Sequence, residues 1–345
     1  MVTIRSVTSR IREIPLKHVF ATAQDSAART VSRGITITVE MNDGLSASGE
    51  SVPVQYVTGE TEVSVIKATA RANELLTGRD PFNWRDNLGI LKQHLPHDYS
   101  ATAAIEIATF HWLAAQAGLP LWKYFGGAID RVDTDITLSI SDDAPIRARE
   151  AHDPGFNMVK TKVGSGSVDN DVARLVAINS AAPGLKYRVD ANQGYSPAEA
   201  LQFIDQVLAA GIDLQLMEQP VDKMDLAGLD HVARHSPVPI FADEAVKTPE
   251  DALKVVSQSE VNGINVKVMK SGILGTLDII AIAKAANRKL MIGCMLESRA
   301  GIAASLALAC GTGAFDYIDL DSHMLLNEQG ENKNFSQTGS TIGFW

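Results

Sequence analysis

From Asn157 onward one local pattern recurs down the chain, and it limits the possible folds more than any other feature. A short apolar run gives way to an amphipathic stretch, and then the next run begins. The runs are Met158–Val163, Lys186–Asp190, Leu214–Glu218, Ile240–Asp243, Ile264–Val268, Leu290–Cys294 and Tyr317–Asp321. The amphipathic stretches carry helix-start signals. Ser196-Pro197-Ala198-Glu199 reads as a capping box with proline at the first helical position, and Thr248-Pro249-Glu250-Asp251 repeats it with Asp in place of Glu. With a further strand near Asp133–Ser139 the alternation makes eight β/α units. Such alternation predicts a parallel sheet, and eight units predict a closed barrel. The competing architecture is an open doubly wound sheet, but the GxGxxG turn that would favour it is missing.

The first part of the chain follows another grammar. Ile4–Leu16, Ile35–Met41 and Ser46–Ser51 read as an antiparallel meander, followed by helical stretches near Glu60–Leu76 and Thr102–Ala117. The fold class expected is therefore α/β: a (β/α) barrel of modified TIM type over residues 126–321, behind an α+β capping domain over 1–125. The tail, 322–345, is expected to pack back on the cap. Two cap loops, Lys17–Thr30 and Val52–Gly59, are placed to cover the barrel mouth. Lys17, His18, Asp25 and Arg29 lie in the first of them, and the sequence assigns a role to none.

Composition narrows the partners. The 345 residues carry a net charge of −10, which argues against nucleic acid. Cys294 and Cys310 have no CxxC spacing, so neither a disulfide scaffold nor a cysteine zinc site is expected, and a reducing cytoplasm is the default. The N-terminus, MVTIRSVTSR, lacks the apolar segment of a signal peptide. The apolar run around Gly301–Cys310 is too short to span a bilayer, so no membrane association is expected. Barrels of this kind often assemble, which makes a homo-oligomer an expectation without interface evidence.

The predicted strands share an oddity: a charge stands at or near the C-terminal end of each. Lys162, Asp190, Glu218, Asp243 and Lys267 follow one another at intervals of one β/α unit, with Glu297 just past the seventh strand and Asp319 and Asp321 on the eighth. Barrel active sites lie at the C-terminal ends of the strands, so this phase gathers the groups around one mouth. A single such charge is more often a capping or solvated group; the whole series in one phase is not. Asp190, Glu218 and Asp243 offer three oxygen ligands without histidine or cysteine, which suits Mg²⁺ rather than zinc. Lys160 and Lys162 precede that cluster and Lys267 follows it, so in a closed circle they flank it. The arrangement suits removal of a proton next to a carboxylate, with Mg²⁺ stabilising the enediolate. Lys160 and Lys162 point to the same face of one strand. Their proximity is expected to lower the pKa of a lysine towards that of a usable base.

The segments VKTKV, RVDANQGY, LMEQP, FADEAV and INVKVMKSG resemble, in this order, the signature segments of the enolase superfamily, muconate-lactonizing subgroup. GLPLWKYFGG, residues 118–127, is similar to that family's hinge between cap and barrel. The resemblance implies Mg²⁺ ligands at Asp190, Glu218 and Asp243, one ion per site, acid/base lysines at Lys162 and Lys267, and a supporting lysine at Lys160. YIDLDSHM and GCMLESRAG resemble the eighth- and seventh-strand segments of dipeptide epimerases. On that likeness Asp319 and Asp321 would hold a substrate's N-terminal ammonium, and Thr137, Lys160 and Glu297 would join them in contacting substrate. The activity implied is Mg²⁺-dependent epimerisation of an L-Ala-L-Xaa dipeptide at its C-terminal residue. N-acylamino-acid racemisation, o-succinylbenzoate synthesis and muconate cycloisomerisation are alternatives within the subgroup, but their substrates lack a free ammonium. A non-catalytic barrel that binds a ligand is the alternative outside it. Burying so many charges without use would cost stability.

Overall fold

Each β-rich run of the barrel is buried over nearly its whole length, as a strand covered on both faces must be. The computed structural model describes residues 1–152, 155–329 and 334–345. The N-terminal unit opens with a three-stranded antiparallel sheet, β1 (Ile4–Thr22), β2 (Asp25–Met41) and β3 (Ser46–Ser51). Five helices follow: α1 (Gln55–Thr58), α2 (Glu62–Leu76), α3 (Trp84–His94), α4 (Tyr99–Gln116) and α5 (Leu121–Tyr124). After the short β4 (Arg131–Asp133) come eight parallel strands with intervening helices: β5 (Ile136–Leu138), α6 (Ala144–His152), β6 (Met158–Lys162), α7 (Val168–Ala181), β7 (Lys186–Asp190), α8 (Pro197–Ala209) and β8 (Leu214–Glu218) lead. They continue with α9 (Leu226–His235), β9 (Ile240–Ala242), α10 (Pro249–Gln258), β10 (Gly263–Val266), α11 (Val268–Ala285), β11 (Lys289–Ile292), α12 (Arg299–Thr312) and β12 (Tyr317–Ile318). The chain ends with α13 (Ser322–Leu325) and the hairpin β13 (Ser336–Thr338) and β14 (Thr341–Gly343), which pairs with β4. Leu16 and Leu326 form a bridge between β1 and this tail, and Trp122 stacks on Phe344.

The strands order from β5 to β12 as they occur in the chain. The seam between first and last is closed largely by side chains. Arg188 Nη1 donates to Ile318 O and to Asp135 Oδ2, both at 2.7 Å, and Leu320 N donates to Thr134 Oγ1 at 2.8 Å. Leu216, Phe241 and Met291 pack with Tyr317 inside the barrel. Gly263 belongs to that plug, since a Cβ there would stand 2.3 Å from the Phe241 ring. The two capping boxes form as their residues dictate, at Ser196/Glu199 and Thr248/Asp251.

Several elements differ from the sequence expectation in extent. β9, β10 and β12 stop at Ala242, Val266 and Ile318, one residue short of Asp243, Lys267 and Asp319. Lys267 instead caps α11. The stretch 17–30 is mostly strand rather than loop. β1 runs on to Thr22, and Ser139 Oγ anchors it by accepting from Ala21 N at 2.7 Å. α3 had no counterpart in the reading.

Two apolar cores divide the molecule unevenly. One packs the first six β/α units of the barrel, from Leu138 to Ala283, together with Leu290 of β11. The other joins the N-terminal sheet and helices to α11, α12 and Ile342 near the C-terminus. A polar joint crosses the same contact. Gly272, at φ 67°, breaks α11, and Glu106 of α4 accepts from Leu274 N at 2.9 Å, capping the second half of that helix. A Cβ at Gly272 would meet the Glu106 carboxylate at 2.7 Å. Burial pushes the Glu106 carboxyl up to about 7.

Candidate active site

Strand register sets the floor of the site. Lys162 lies opposite Asp190, and Asp190 opposite Glu218, so three charged residues form a row across β6, β7 and β8. Asp243 lies two residues past Phe241, the partner of Glu218, and so points the same way. Oxygens of Asp190, Glu218 and Asp243 lie within 4.8 Å of one another, and all three residues are fully buried. Glu218 Oε1 is buried without a hydrogen bond of acceptable geometry, although Lys160 Nζ is 2.9 Å away. Three clustered carboxylates, one with an unsatisfied oxygen, fit a hard divalent cation.

Ammonium groups surround these carboxylates. Lys162 Nζ donates to Asp190 Oδ2 at 2.6 Å and Lys267 Nζ to Asp243 Oδ2 at 2.7 Å. Lys160, 1 % exposed, donates to Asp319 Oδ2 at 2.8 Å and to Glu218 Oε2 at 3.0 Å. The expected lowering by the Lys160–Lys162 pair is present but is outweighed by the surrounding carboxylates. Burial, the largest single influence, and then Lys160 and Lys267 pull the Lys162 ammonium down. Asp190 and Glu218, with the other groups that favour its charge, together hold its pKa above the ordinary value. Lys160 likewise is lowered by burial and raised further by Asp319, Glu218 and Asp190. Conversely, burial pushes Asp190 up, while Lys162 and Lys160 hold it down at about 2.

Thr137, Lys160, Lys162, Lys267, Asp319 and Asp321 all line one cavity of about 60 Å³ between this floor and the N-terminal unit. Asp321 Oδ2 accepts from Thr137 N at 2.5 Å, and burial followed by the Asp319 charge raises its carboxyl to about 6. Glu297 is not brought to this cavity. Its Oε1 accepts from Met295 N at 2.9 Å, and burial raises its pKa to about 8, with the Glu50 charge adding to the rise. The cavity wall at that point is Cys294, Met295 and Leu296 instead.

Four groups escaped the sequence reading. Lys270 Nζ donates to Asp243 Oδ1 and to Asp243 O, both at 2.6 Å, holding that residue from behind. Asn265 Nδ2 donates to Glu218 Oε2 at 2.7 Å. Asn192 Nδ2 donates to Glu244 Oε1 at 3.1 Å at the cavity edge. Asn265 stands two residues before Lys267, and Asn192 two after Asp190. The period-2 rule that picked out the charges could have flagged Asn265, but Asn192 stands past β7 in a turn, at φ 43°, where no strand period holds.

A parallel eight-stranded barrel under an N-terminal cap, with carboxylates on three successive strands between lysines, defines an enolase-superfamily enzyme. The chain belongs to the mandelate racemase/muconate lactonizing enzyme family. That family's N-terminal domain matches residues 1–126, and the enolase C-terminal domain-like family matches 144–337. It is 37% identical over 311 residues to the L-Ala-D/L-Glu epimerase of Thermotoga maritima, covering 89% of each chain. It is 35% identical over 343 residues to the aromatic dipeptide epimerase of Herpetosiphon aurantiacus, covering 99% of this chain and 96% of the relative. The crystal structure of the dipeptide epimerase from Enterococcus faecalis, complexed with Mg and the dipeptide L-Leu-L-Tyr, superposes with a TM-score of 0.93. Its identity is 32%, with 99% of this chain and 97% of that chain covered.

Proposed function

We propose that this protein is an isomerase that epimerises dipeptides of the L-Ala-L-Xaa type at the C-terminal residue, with Mg²⁺ as cofactor. The observation that carries the reading is the floor itself: Lys162 and Lys267 line one cavity and bond to Asp190 and Asp243, two of the three clustered carboxylates. Relatives similar over nearly the whole chain are dipeptide epimerases.

Asp190, Glu218 and Asp243 would hold the ion. When bound, Mg²⁺ would supply positive charge against the negative charge that develops on the substrate carboxylate, and would compete with Lys162 and Lys267 for the carboxylates that hold them as ammoniums. Each lysine then serves one face of the α-carbon, one removing the proton and the other returning it from the opposite side. Lys160 stays charged between Asp319 and Glu218, which suits a supporting group for the substrate carboxylate better than a base. Asp321, fixed by Thr137 N, and Asp319 offer carboxylates to the substrate's ammonium. That ammonium site favours the epimerase over the acylamino-acid racemase of the same subgroup. No helix among the described residues is long and apolar enough to cross a membrane. Both cysteines are free, which supports a cytoplasmic enzyme.

Incubation with Mg²⁺ and a dipeptide in D₂O tests the reading. Deuterium should enter at the α-carbon of the C-terminal residue, with the L,D form accumulating from L,L. Faster exchange of N-acetyl or N-succinyl amino acids than of free dipeptides would hand the assignment to the racemase.

A further inference from the structure

We infer, resting on the epimerase reading, that the residue this enzyme epimerises carries an apolar side chain. With the α-carbon between Lys162 and Lys267, the barrel floor lies beneath the substrate and is filled by charged groups. The side chain on that carbon can only project towards the cap and the rim. There the cavity is lined by Phe20, Val54, Tyr56 and Val57 from the cap and by Leu296 and Leu325 from the rim. Tyr56, on α1, adds an aromatic ring to this lining.

Two charges from the cap interrupt this roof, and they cancel, while Glu244 at the barrel edge of the cavity accepts from Asn192. Arg29 Nε donates to Asp25 Oδ2 at 2.5 Å. Both are partly sheltered, with side chains 34% and 20% exposed. An acidic substrate side chain would have to take Arg29 from Asp25 and leave that carboxylate unpaired. A basic one would have to do the reverse. An apolar side chain disturbs neither and gains burial against the roof.

The test compares L-Ala-L-Leu, L-Ala-L-Phe, L-Ala-L-Glu and L-Ala-L-Lys as single substrates with Mg²⁺ in D₂O, reading kcat/KM for α-deuteration. The Leu and Phe dipeptides should exceed the Glu and Lys dipeptides by roughly ten-fold or more. Equal or faster turnover of the Glu or Lys dipeptide, with the others still active, overturns the inference and leaves the epimerase reading standing. Exchange of none of the four overturns both. A second arm uses Asp25→Asn, which frees Arg29. The kcat/KM ratio of L-Ala-L-Glu to L-Ala-L-Leu should then rise by roughly ten-fold. An unmoved ratio means that the ion pair does not set the charge of the roof, and the inference falls.

Discussion

The floor of the cavity is a set of charged side chains placed by strand register, whereas its roof is a set of mostly apolar side chains carried by a hairpin and a four-residue helix. In the floor, each charged group is buried and tied to a neighbour of opposite sign within 3 Å or so. In the roof, cohesion comes from packing and from one neutralised ion pair. The contrast separates two tasks. Proton transfer needs groups fixed to fractions of an ångström, which eight hydrogen-bonded strands supply. Selection among side chains needs a surface that can change without disturbing them, which a peripheral hairpin supplies.

Breaking the floor should have the largest effects. Asp243→Asn removes one of three ligand carboxylates and leaves Lys267 and Lys270 without their shared partner. Turnover should disappear, and calorimetric titration should show Mg²⁺ binding lost. Chelation of the native enzyme should abolish turnover reversibly. Full activity of the variant without metal would dismiss the three-carboxylate cluster as the metal site. Next come the bases. Lys162→Ala and Lys267→Ala should each lower kcat/KM by roughly 10²–10⁴-fold for proton exchange from one stereoisomer. Residual exchange from the other would be read by NMR on the L,L and L,D dipeptides separately. If both variants retain both exchanges, the bases lie elsewhere.

Smaller effects sharpen the comparison at its edges. N-acetylation of the dipeptide removes the ammonium that Asp319 and Asp321 would receive, and should cost roughly ten- to a hundred-fold in kcat/KM. Asp321→Asn should reproduce much of that loss while calorimetric Mg²⁺ affinity is unchanged. A variant that loses Mg²⁺ instead would move Asp321 into the metal site. Glu106→Gln, remote from both floor and roof, should barely change turnover but should alter how stability depends on pH. Glu106 keeps its proton in the folded protein up to about 7, against an ordinary value of 4.5. The folded state therefore binds more protons between those values, and its stability falls as pH rises through them, by about 3 kcal/mol in all. Urea unfolding at pH 5 and pH 8 should show the native protein losing about that much more than the variant. Parallel losses would mean that ionised Glu106 is accommodated in place.

Most of the floor was legible because its residues recur at one phase of a repeating unit, and phase survives small errors in strand ends. Asp243, Lys267 and Asp319 turned out to lie just past their strands, yet the reading still brought them to the mouth. Glu297 shows where phase runs out. It sits beyond β11 in an irregular turn, where no period fixes direction, and it turns towards Met295 N and Glu50 rather than the cavity. Lys270 was hidden for a different reason: it reaches Asp243 from the first turn of a helix, three residues past Lys267, not from a strand. The hairpin arms between Leu16 and Ile35 were illegible because their anchor is Ser139, over a hundred positions away in the chain. The electrostatic error over Lys162 was one of distance. The like-charged neighbour is visible in sequence, but Asp190 at 2.6 Å dominates it.

The unequal division of the two apolar cores has a consequence for how the chain is made. Synthesis runs from the N-terminus, and domains generally fold in that order as they emerge. Here the core under the N-terminal sheet is completed by Val268, Met269, Ile302, Leu306 and finally Ile342. The first unit to leave the ribosome is thus the last to be finished. Until α11 emerges, α4 has neither that helical partner nor the Leu274 N–H for Glu106 to receive. The barrel's other core is complete at Leu290, before Ile302, Leu306 and Ile342 arrive, and can settle earlier. The nascent cap must wait with apolar surface uncovered, the condition in which a growing chain most needs a chaperone.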